Sequence, residues 1–389
     1  MPEEYVFSLR AGRKLQRIGN KASNLRLLAH KGFPIPLTYV CTWDAYVRYV
    51  QGDTRVIEEL GAELATKLDS SNRYAVRSSA NLEDGLDLSF AGQFKSVLDV
   101  QGVEEILESV RFVWDTTQSS SIQAYLGQKA LGSQDLKMAV IIQEMVPARV
   151  SGVAFSKNPV TGLDEVLVEA IRGSGEALVQ DGVTPQRWIN KWGTWMDAPD
   201  DAVDGQGIDL ELIDDVVRQT KEIAKTYGRP VDLEWVYDGH EVKWVQMREI
   251  TTLDIPVYSN RLSKEVFPGI IKPLIWSVNV PLVNGAWVAL FTELIGPNEI
   301  QPEALAGRFY SRAYFDMAAL GEIFELLGLP RETLELLIGI EVEGPERPSF
   351  KPSPKTYKLL PQMLRFGLDK VRFSRKIEAF FPAMEKDLQ

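Results

Sequence analysis

The sequence predicts an α+β fold for its first two thirds and a mainly helical remainder. At 389 residues the chain is too long for one ordinary core, so more than one domain is expected. Up to residue 252, runs of strand length alternate with stretches whose apolar residues recur at helical spacing. From Thr252 the strand signals thin out and proline-punctuated, helix-rich sequence begins. The expected domains are therefore 1–252 and 253–389, with the main boundary near residue 253.

The bulk properties narrow the class. Hydrophobic residues make up 45% and charged residues 25%, the balance of a globular protein. A net charge of -11 gives no electrostatic footprint for non-specific binding to nucleic acid or anionic membranes. A single cysteine, Cys41, excludes an intramolecular disulfide framework, and a reducing cytosol is the expected location. The N-terminal MPEEYVFSLR lacks the apolar centre of a signal peptide, and no apolar run is read as approaching a membrane span.

In chain order, GNKASNLRLLAH (19–30) reads as a helix with Ala22, Leu25, Leu28 and Ala29 on its buried face. Gly32, Pro34 and Pro36 stop it. Lys21 in its first turn opposes the helix dipole unless an anion sits there; a solvated surface lysine is the commoner case. Tyr74-Ala75-Val76 reads as a buried strand delivering Arg77, Ser78 and Ser79. The polar loop Asn81–Gln93, with Gly92 near its end, reads as a cover over a ligand, although a surface hairpin fits the same residues.

KMAVIIQEMV (137–146) is the most apolar run and reads as a central strand. Its end, Gln143, Glu144, Met145 and Val146, offers backbone groups and a soft wall suited to an adenine; a buried strand meeting a turn fits equally well. Glu165–Ile171 reads as a strand carrying Glu169. Asp209–Tyr227 is a helix with Asp209 as cap and Gly228 as stop. Further candidate helices are Val283–Leu294, Arg312–Leu327, Arg331–Gly339 and Tyr357–Met384.

The strands Val231–Tyr237 and Glu241–Arg248 carry Asp232 and Glu234 on one and Gln246 and Arg248 on the other. Parity decides whether these meet. A two-residue turn puts Gln246 on the face opposite Glu234. A three-residue loop, Asp238-Gly239-His240, opposes Asp232 to Gln246 and Glu234 to Trp244, leaving Glu234 and Gln246 diagonal neighbours able to share a cation. The three-residue loop, or another of its parity, is expected.

Together these pieces suit ATP with Mg²⁺. Lys21, Arg77 and a glycine-containing loop take phosphates, Glu234 and Gln246 take the hard metal, and the apolar strand takes the base.

The segments GNKASNL, YAVRSSANLEDGLDLSFAGQF, IIQEMVPARVSGVAFSKNPVTG, VEAIRGSGEALVQDGVTPQRWIN and VDLEWVYDG…VQMREIT resemble the nucleotide-binding domain of the phosphoenolpyruvate synthase / pyruvate phosphate dikinase family. The resemblance covers most of residues 17–252 and implies an ATP-grasp-type fold of two α+β lobes clamping ATP, the late lobe running from about 190 to 252. It implies that Lys21, Arg77 and Arg248 contact phosphates as the catalytic set and that the loop around Gly92 covers them. Gln143 to Val146 would line the adenine, Glu169 would lie near the nucleoside, and Glu234 and Gln246 would bind Mg²⁺ with Asp232 in support. Where the family has Ala-Arg-Pro, this chain has Met247-Arg248-Glu249, keeping the arginine. YSNRLSKEVFPGIIKPLIWSV (258–278) resembles, over a shorter span, the start of the substrate domain of rifampin phosphotransferase-like proteins.

In this family ATP phosphorylates a histidine in a glycine-rich motif on a mobile domain. Neither His30 nor His240 has that context, and both read as structural or solvated. The leading expectation is a dikinase-type phosphotransferase component that donates from Mg-ATP to a histidine domain in trans or in a missing C-terminal region. Pyruvate or an antibiotic-like hydroxyl compound is the implied final acceptor. The alternatives are a non-catalytic nucleotide-binding scaffold and a direct small-molecule kinase.

Overall fold

The computed structural model describes all residues except 1–3, 13, 83–93, 129–131, 133–134, 176–183, 200–206, 252–257, 261–262, 267, 330–332, 338–343, 348–352, 355, 370–372 and 374–389. The chain divides into two compact units. The first comprises 1–158, 165–190 and 195–251; the second comprises 159–164, 191–194 and everything from Thr252.

The first unit is α+β, as expected, and contains two antiparallel sheets. One has the strand order β1-β2-β5-β3-β4, built from Val6–Ser8 (β1), Thr38–Cys41 (β2), Arg73–Ala80 (β3), Ser96–Gln101 (β4) and Met138–Glu144 (β5). The central β5 is buried along nearly its whole length, which its unbroken apolar run dictates. One face packs on helices Trp43–Val50 (α2), Arg55–Lys67 (α3) and Val103–Thr116 (α4), around Val76, Val140, Ile142, Leu60 and Trp114. Buried Cys41 belongs to this core, and burial pushes its thiol up.

The second sheet has the order β11-β10-β6-β7-β8-β9. Its strands are Val150–Phe155 (β6), Val166–Arg172 (β7), Gln186–Lys191 (β8), Thr194–Asp197 (β9), Val231–Tyr237 (β10) and Val242–Glu249 (β11). After the short helix Ser120–Gln128 (α5), the long helix Leu210–Tyr227 (α6) covers one face of this sheet. Asp209 caps α6 by accepting from Glu211 N–H, and Gly228 ends it at φ +81, both where the sequence puts them.

Helix Gly19–His30 (α1) joins the two sheets. Its Ala22, Leu25 and Leu28 share one core with Val40 and Ile141 of the first sheet and Trp244 and Met247 of the second.

In the second unit, Arg312–Leu327 is a strand followed by a helix and not the single helix expected. Arg312–Asp316 (β14) pairs with Tyr258–Ser259 (β12) and Ala306–Phe309 (β13), and helix Met317–Leu326 follows. Ala313 and Phe315 alternate inward, and Asp316 starts the helix by accepting from the N–H groups of Ala318 and Ala319.

A second correction concerns the helix expected at Val283–Leu294. It runs from Pro273 to Ile295, with Pro281 inside it. These 23 residues are long and apolar enough to cross a membrane by length and composition, and 11% of the apolar window is buried. The expected helix covers only the second half of this one, and an apolar run of this length is not among the sequence expectations.

Lys191 and Glu335 form a buried ion pair in the second unit, Glu335 also accepting from Asp164 N–H at 2.7 Å. Burial pushes the Glu335 carboxyl up despite its lysine partner. Lys191→Met strands a buried carboxylate and is expected to cost about 3–5 kcal/mol. Adding Glu335→Gln, which removes the charge and keeps an acceptor for Asp164, is expected to restore most of this. Urea unfolding of the two variants measures it, and equal losses in both would show that the stranded charge is not the cause.

Candidate functional site

The site is built where the start of α1, strand β3 and the β10–β11 pair meet within the first unit. Its geometry begins with a register. Near the turn, Tyr237 opposes Val242 and Trp235 opposes Trp244; beyond it, Glu234 opposes Gln246 and Asp232 opposes Arg248. The loop therefore spans four residues, 238–241, and not the expected three. That loop by itself would send Gln246 to the face opposite Glu234. A bulge at Val245 adds one residue to β11 and restores the parity. Glu234 and Gln246 thus share a face as expected, but directly across from each other and not diagonally.

The turn is shaped by Asp238, whose carboxyl accepts from Glu241 N–H and His240 N–H and meets Lys243 at 3.0 Å. These contacts hold it well below the usual carboxylate range.

Arg77 of β3 closes the site. Its Nη2 donates to Glu234 Oε2 at 2.9 Å and to Gln246 Oε1 at 2.7 Å, and its Nη1 donates to the bulge carbonyl of Val245 at 3.2 Å. Arg248 Nη2 reaches the other Glu234 oxygen at 3.2 Å. Burial pushes the Glu234 carboxyl up, but the charge and hydrogen bond of Arg77, with Arg248 and Lys21 behind them, outweigh this and hold it below the usual range. Lys21, Arg77, Glu234, Gln246 and Arg248, separated by more than two hundred positions in the chain, are thereby brought together.

Two donors in this cluster lack acceptors. Gln246 Nε2 and Arg248 Nε are shielded from solvent and have no hydrogen-bond partner among the described residues. Buried orphan donors of this kind cost about 1–3 kcal/mol each, and an anion beside them would supply what they lack. For a metal the set is one carboxylate and one amide oxygen. Among the described residues no group of three His, Cys, Asp or Glu side chains stands ready for an ion. Such a set fits Mg²⁺, which takes one or two protein oxygens and completes its shell with phosphate and water.

On β7, Glu169 opposes Val153 of β6, which opposes Glu234, so Glu169 shares the face with Glu234 two strands away, about 10 Å. Gln143 is buried on the α1-facing side of its sheet, with its amide 3.3 Å from Thr38 Oγ1. The N–H groups of Glu144 and Met145 donate to Leu37 O and Arg73 O at 2.9 and 2.8 Å. That corrects the reading of a strand end with free backbone groups: these two donors are taken by the sheet. From Glu144 to Val150 the chain passes from the first sheet to the second. Gly92 and most of the loop it belongs to lie outside the described residues.

Sequence reasoning missed three supports. Ser79 lies on the Arg77 face of β3, where its hydroxyl accepts from Ala22 N–H at 3.0 Å and donates to Ile18 O at 2.8 Å, capping α1. Asn24 donates to Met247 O at 3.1 Å, tying α1 to β11. The Val245 carbonyl is presented by the bulge. Only Ser79 left a signal in the sequence, as one of a hydroxyl pair; Ser78, its neighbour, faces the other way, its buried hydroxyl without a partner among the described residues.

With that geometry in place the chain can be set beside known proteins. Residues 53–196 match the family model of the pyruvate phosphate dikinase AMP/ATP-binding domain. The resemblance seen in the motifs is borne out. A probable phosphoenolpyruvate synthase of Archaeoglobus fulgidus is 28% identical over 300 residues, which is 61% of this chain and 40% of that protein. The uncharacterized phosphotransferase YvkC of Bacillus subtilis is 31% identical over 284 residues, 61% of this chain and 34% of that one. The chain spans well under half the length of these curated relatives. Among solved structures, an L-amino acid ligase from Bacillus licheniformis matches at a TM-score of 0.33 and 13% identity, over 60% of this chain and 43% of that one.

Gly19 is the tightest point of the site's frame. It sits at φ +74, and a Cβ added there would lie 2.0 Å from Ser79 O. Gly19→Ala is expected to destabilise by about 2–4 kcal/mol, from left-handed strain plus the clash. An unchanged urea midpoint would show that the contact between α1 and β3 gives way freely.

Glu234 sets an acid limit. A carboxyl held below its usual range stabilises the fold fully above the ordinary glutamate pKa, and the contribution is lost as pH falls through the folded-state value. Wild type is expected to exceed Glu234→Gln in stability at pH 7, and the gap is expected to shrink below about pH 4.3. Unfolding midpoints at the two pH values check this; a gap that stays constant with pH contradicts it.

Proposed function

We propose that the chain is the ATP-handling part of a dikinase-type phosphotransferase, passing a phosphoryl group from Mg-ATP to a histidine carried on a separate domain. The observation that carries this reading is the Arg77–Glu234–Gln246–Arg248 cluster, with its two orphan donors, within a chain that matches the family's nucleotide domain.

Lys21, Arg77 and Arg248 supply the charges for the phosphates, and the Arg248 Nε and Gln246 Nε2 donors gain acceptors from them. Glu234 and Gln246 would hold Mg²⁺, with Asp232 beside them, and the ion would supply charge neutralisation for the transferred group. The crossing segment Gln143–Val146 serves the base, Glu169 the nucleoside, and the loop around Gly92 the cover. The final acceptor in this reading is pyruvate or an antibiotic-like hydroxyl compound, and the setting is the cytosol.

The histidine must come from elsewhere. His240 is an exposed turn residue. His30 is exposed at the opposite end of α1 from Lys21, about 13 Å along the helix axis.

The test is incubation with Mg-ATP, with and without a histidine domain from the family. AMP that forms only with that domain is the expected result. Binding without turnover in every condition would favour a scaffold, and turnover needing only a small acceptor would favour a direct kinase. Arg77→Ala and Glu234→Ala are each expected to lower AMP formation by at least about a hundredfold; wild-type rates in either overturn the site.

A further inference from the structure

Glu234 Oε2 and Gln246 Oε1 lie 2.9 and 2.7 Å from one nitrogen, Arg77 Nη2. That nitrogen holds the bridging position between them. A Mg²⁺ ion bound to both oxygens, at about 2.1 Å from each, competes with that nitrogen for them. The guanidinium and the ion cannot both hold these two oxygens at close range, because both are cations and repel each other.

The wider charge pattern acts in the same direction. Arg77, Arg248 and Lys21 all act on the Glu234 carboxyl. Asp232 and Glu169 are further carboxylates on this sheet face, and Arg187 stands directly opposite Glu169. Lys21, Arg77, Arg248 and Arg187 are thus set against Glu234, Asp232 and Glu169, and Lys243, opposite Val236, lies on the same sheet face. This excess of positive charge around Glu234 favours the approach of a polyphosphate over that of a divalent ion alone.

Resting on the reading of this cluster as a Mg-nucleotide site, we propose that Arg77 gates the metal. It occupies the two ligand oxygens until a polyphosphate draws its guanidinium away, so the ion loads only together with the nucleotide. The exchange is inexpensive for Arg77, since phosphate oxygens replace a carboxylate and an amide with charge-assisted hydrogen bonds of similar strength. The same exchange releases its bond to the Val245 carbonyl, so loading the ion and loosening the tie between β3 and β11 become one event.

The experiment follows Mn²⁺ binding by electron paramagnetic resonance on the full chain without nucleotide. Arg77→Met is expected to bind Mn²⁺ at least about tenfold more tightly than wild type, and Glu234→Gln added to it is expected to abolish the gain. Equal affinity in wild type and Arg77→Met, or a gain that survives Glu234→Gln, overturns the gate. Arg77→Gln goes through the same comparison should the methionine variant fail to fold. A separate arm adds ATP to wild type: enhanced Mn²⁺ binding is expected. Its absence there would overturn the nucleotide-site reading itself, while the nucleotide-free comparison still judges the gate.

Discussion

One hydrogen-bonded fork links the two sheets of the first unit. Arg77, at 16% side-chain exposure, reaches from β3 to a carboxylate, an amide and a bulge carbonyl on β10 and β11. A guanidinium suits this task because its planar donors meet several acceptors at once, which a lysine ammonium does not do with the same geometry. The acceptors exist only because β11 carries an extra residue. Without the bulge, Gln246 would face α6 and the Val245 carbonyl would be spent in the ladder. α1 is then pinned beside the fork by Ser79 and Asn24, so Lys21 arrives at the same place through backbone contacts that are independent of its own charge. The cluster is thus overdetermined by the frame, as a site of fixed geometry requires.

Much of this frame was legible in the sequence, because its elements are strongly periodic or punctuated. The apolar run of β5, the Asp209 cap and Gly228 stop of α6, and the spaced leucines of α1 each bind one stretch to one conformation. The hairpin register resisted for a different reason. Two single-residue departures, a longer turn and a bulge, cancel in parity. Composition reveals neither, since Val245 has no feature that marks a bulge. Shared-face reasoning held because only parity matters for it, while the pairing itself, which needs the absolute count, did not.

The second unit was read less well, again for physical reasons. The five residues of β14 run directly into a helix capped by Asp316, and the helix formers Met317 to Leu326 overwhelmed a strand shorter than one helical period can resolve. The cap was a usable signal: an aspartate between an alternating and a 3.6-periodic stretch marks a change of element. At Pro273–Ile295 the error ran the other way. Pro281 lies inside this helix, well past the first-turn Pro273, and a proline in a helix interior is a poor guide to continuation because it removes a hydrogen bond and crowds the preceding turn.

The electrostatics of the fork bear on the choice between catalyst and scaffold. A chain of net charge -11 gathers Lys21, Arg77 and Arg248 around one carboxylate and leaves two shielded donors without partners among the described residues. For folding alone this is unfavourable. Like charges repel in poorly screened surroundings, and each orphan donor costs free energy that an apolar side chain would not. A protein selected only for its surface would lose nothing by replacing Arg248 or Gln246 with something smaller. Those costs become intelligible under the proposal of a polyanion site: a bound polyanion would neutralise the excess positive charge, fill the orphan donors, and take Arg77 from Glu234. The same three changes would accompany any tightly held polyphosphate. They therefore favour a nucleotide site over a structural ion pair more strongly than they favour any one acceptor for the transferred group.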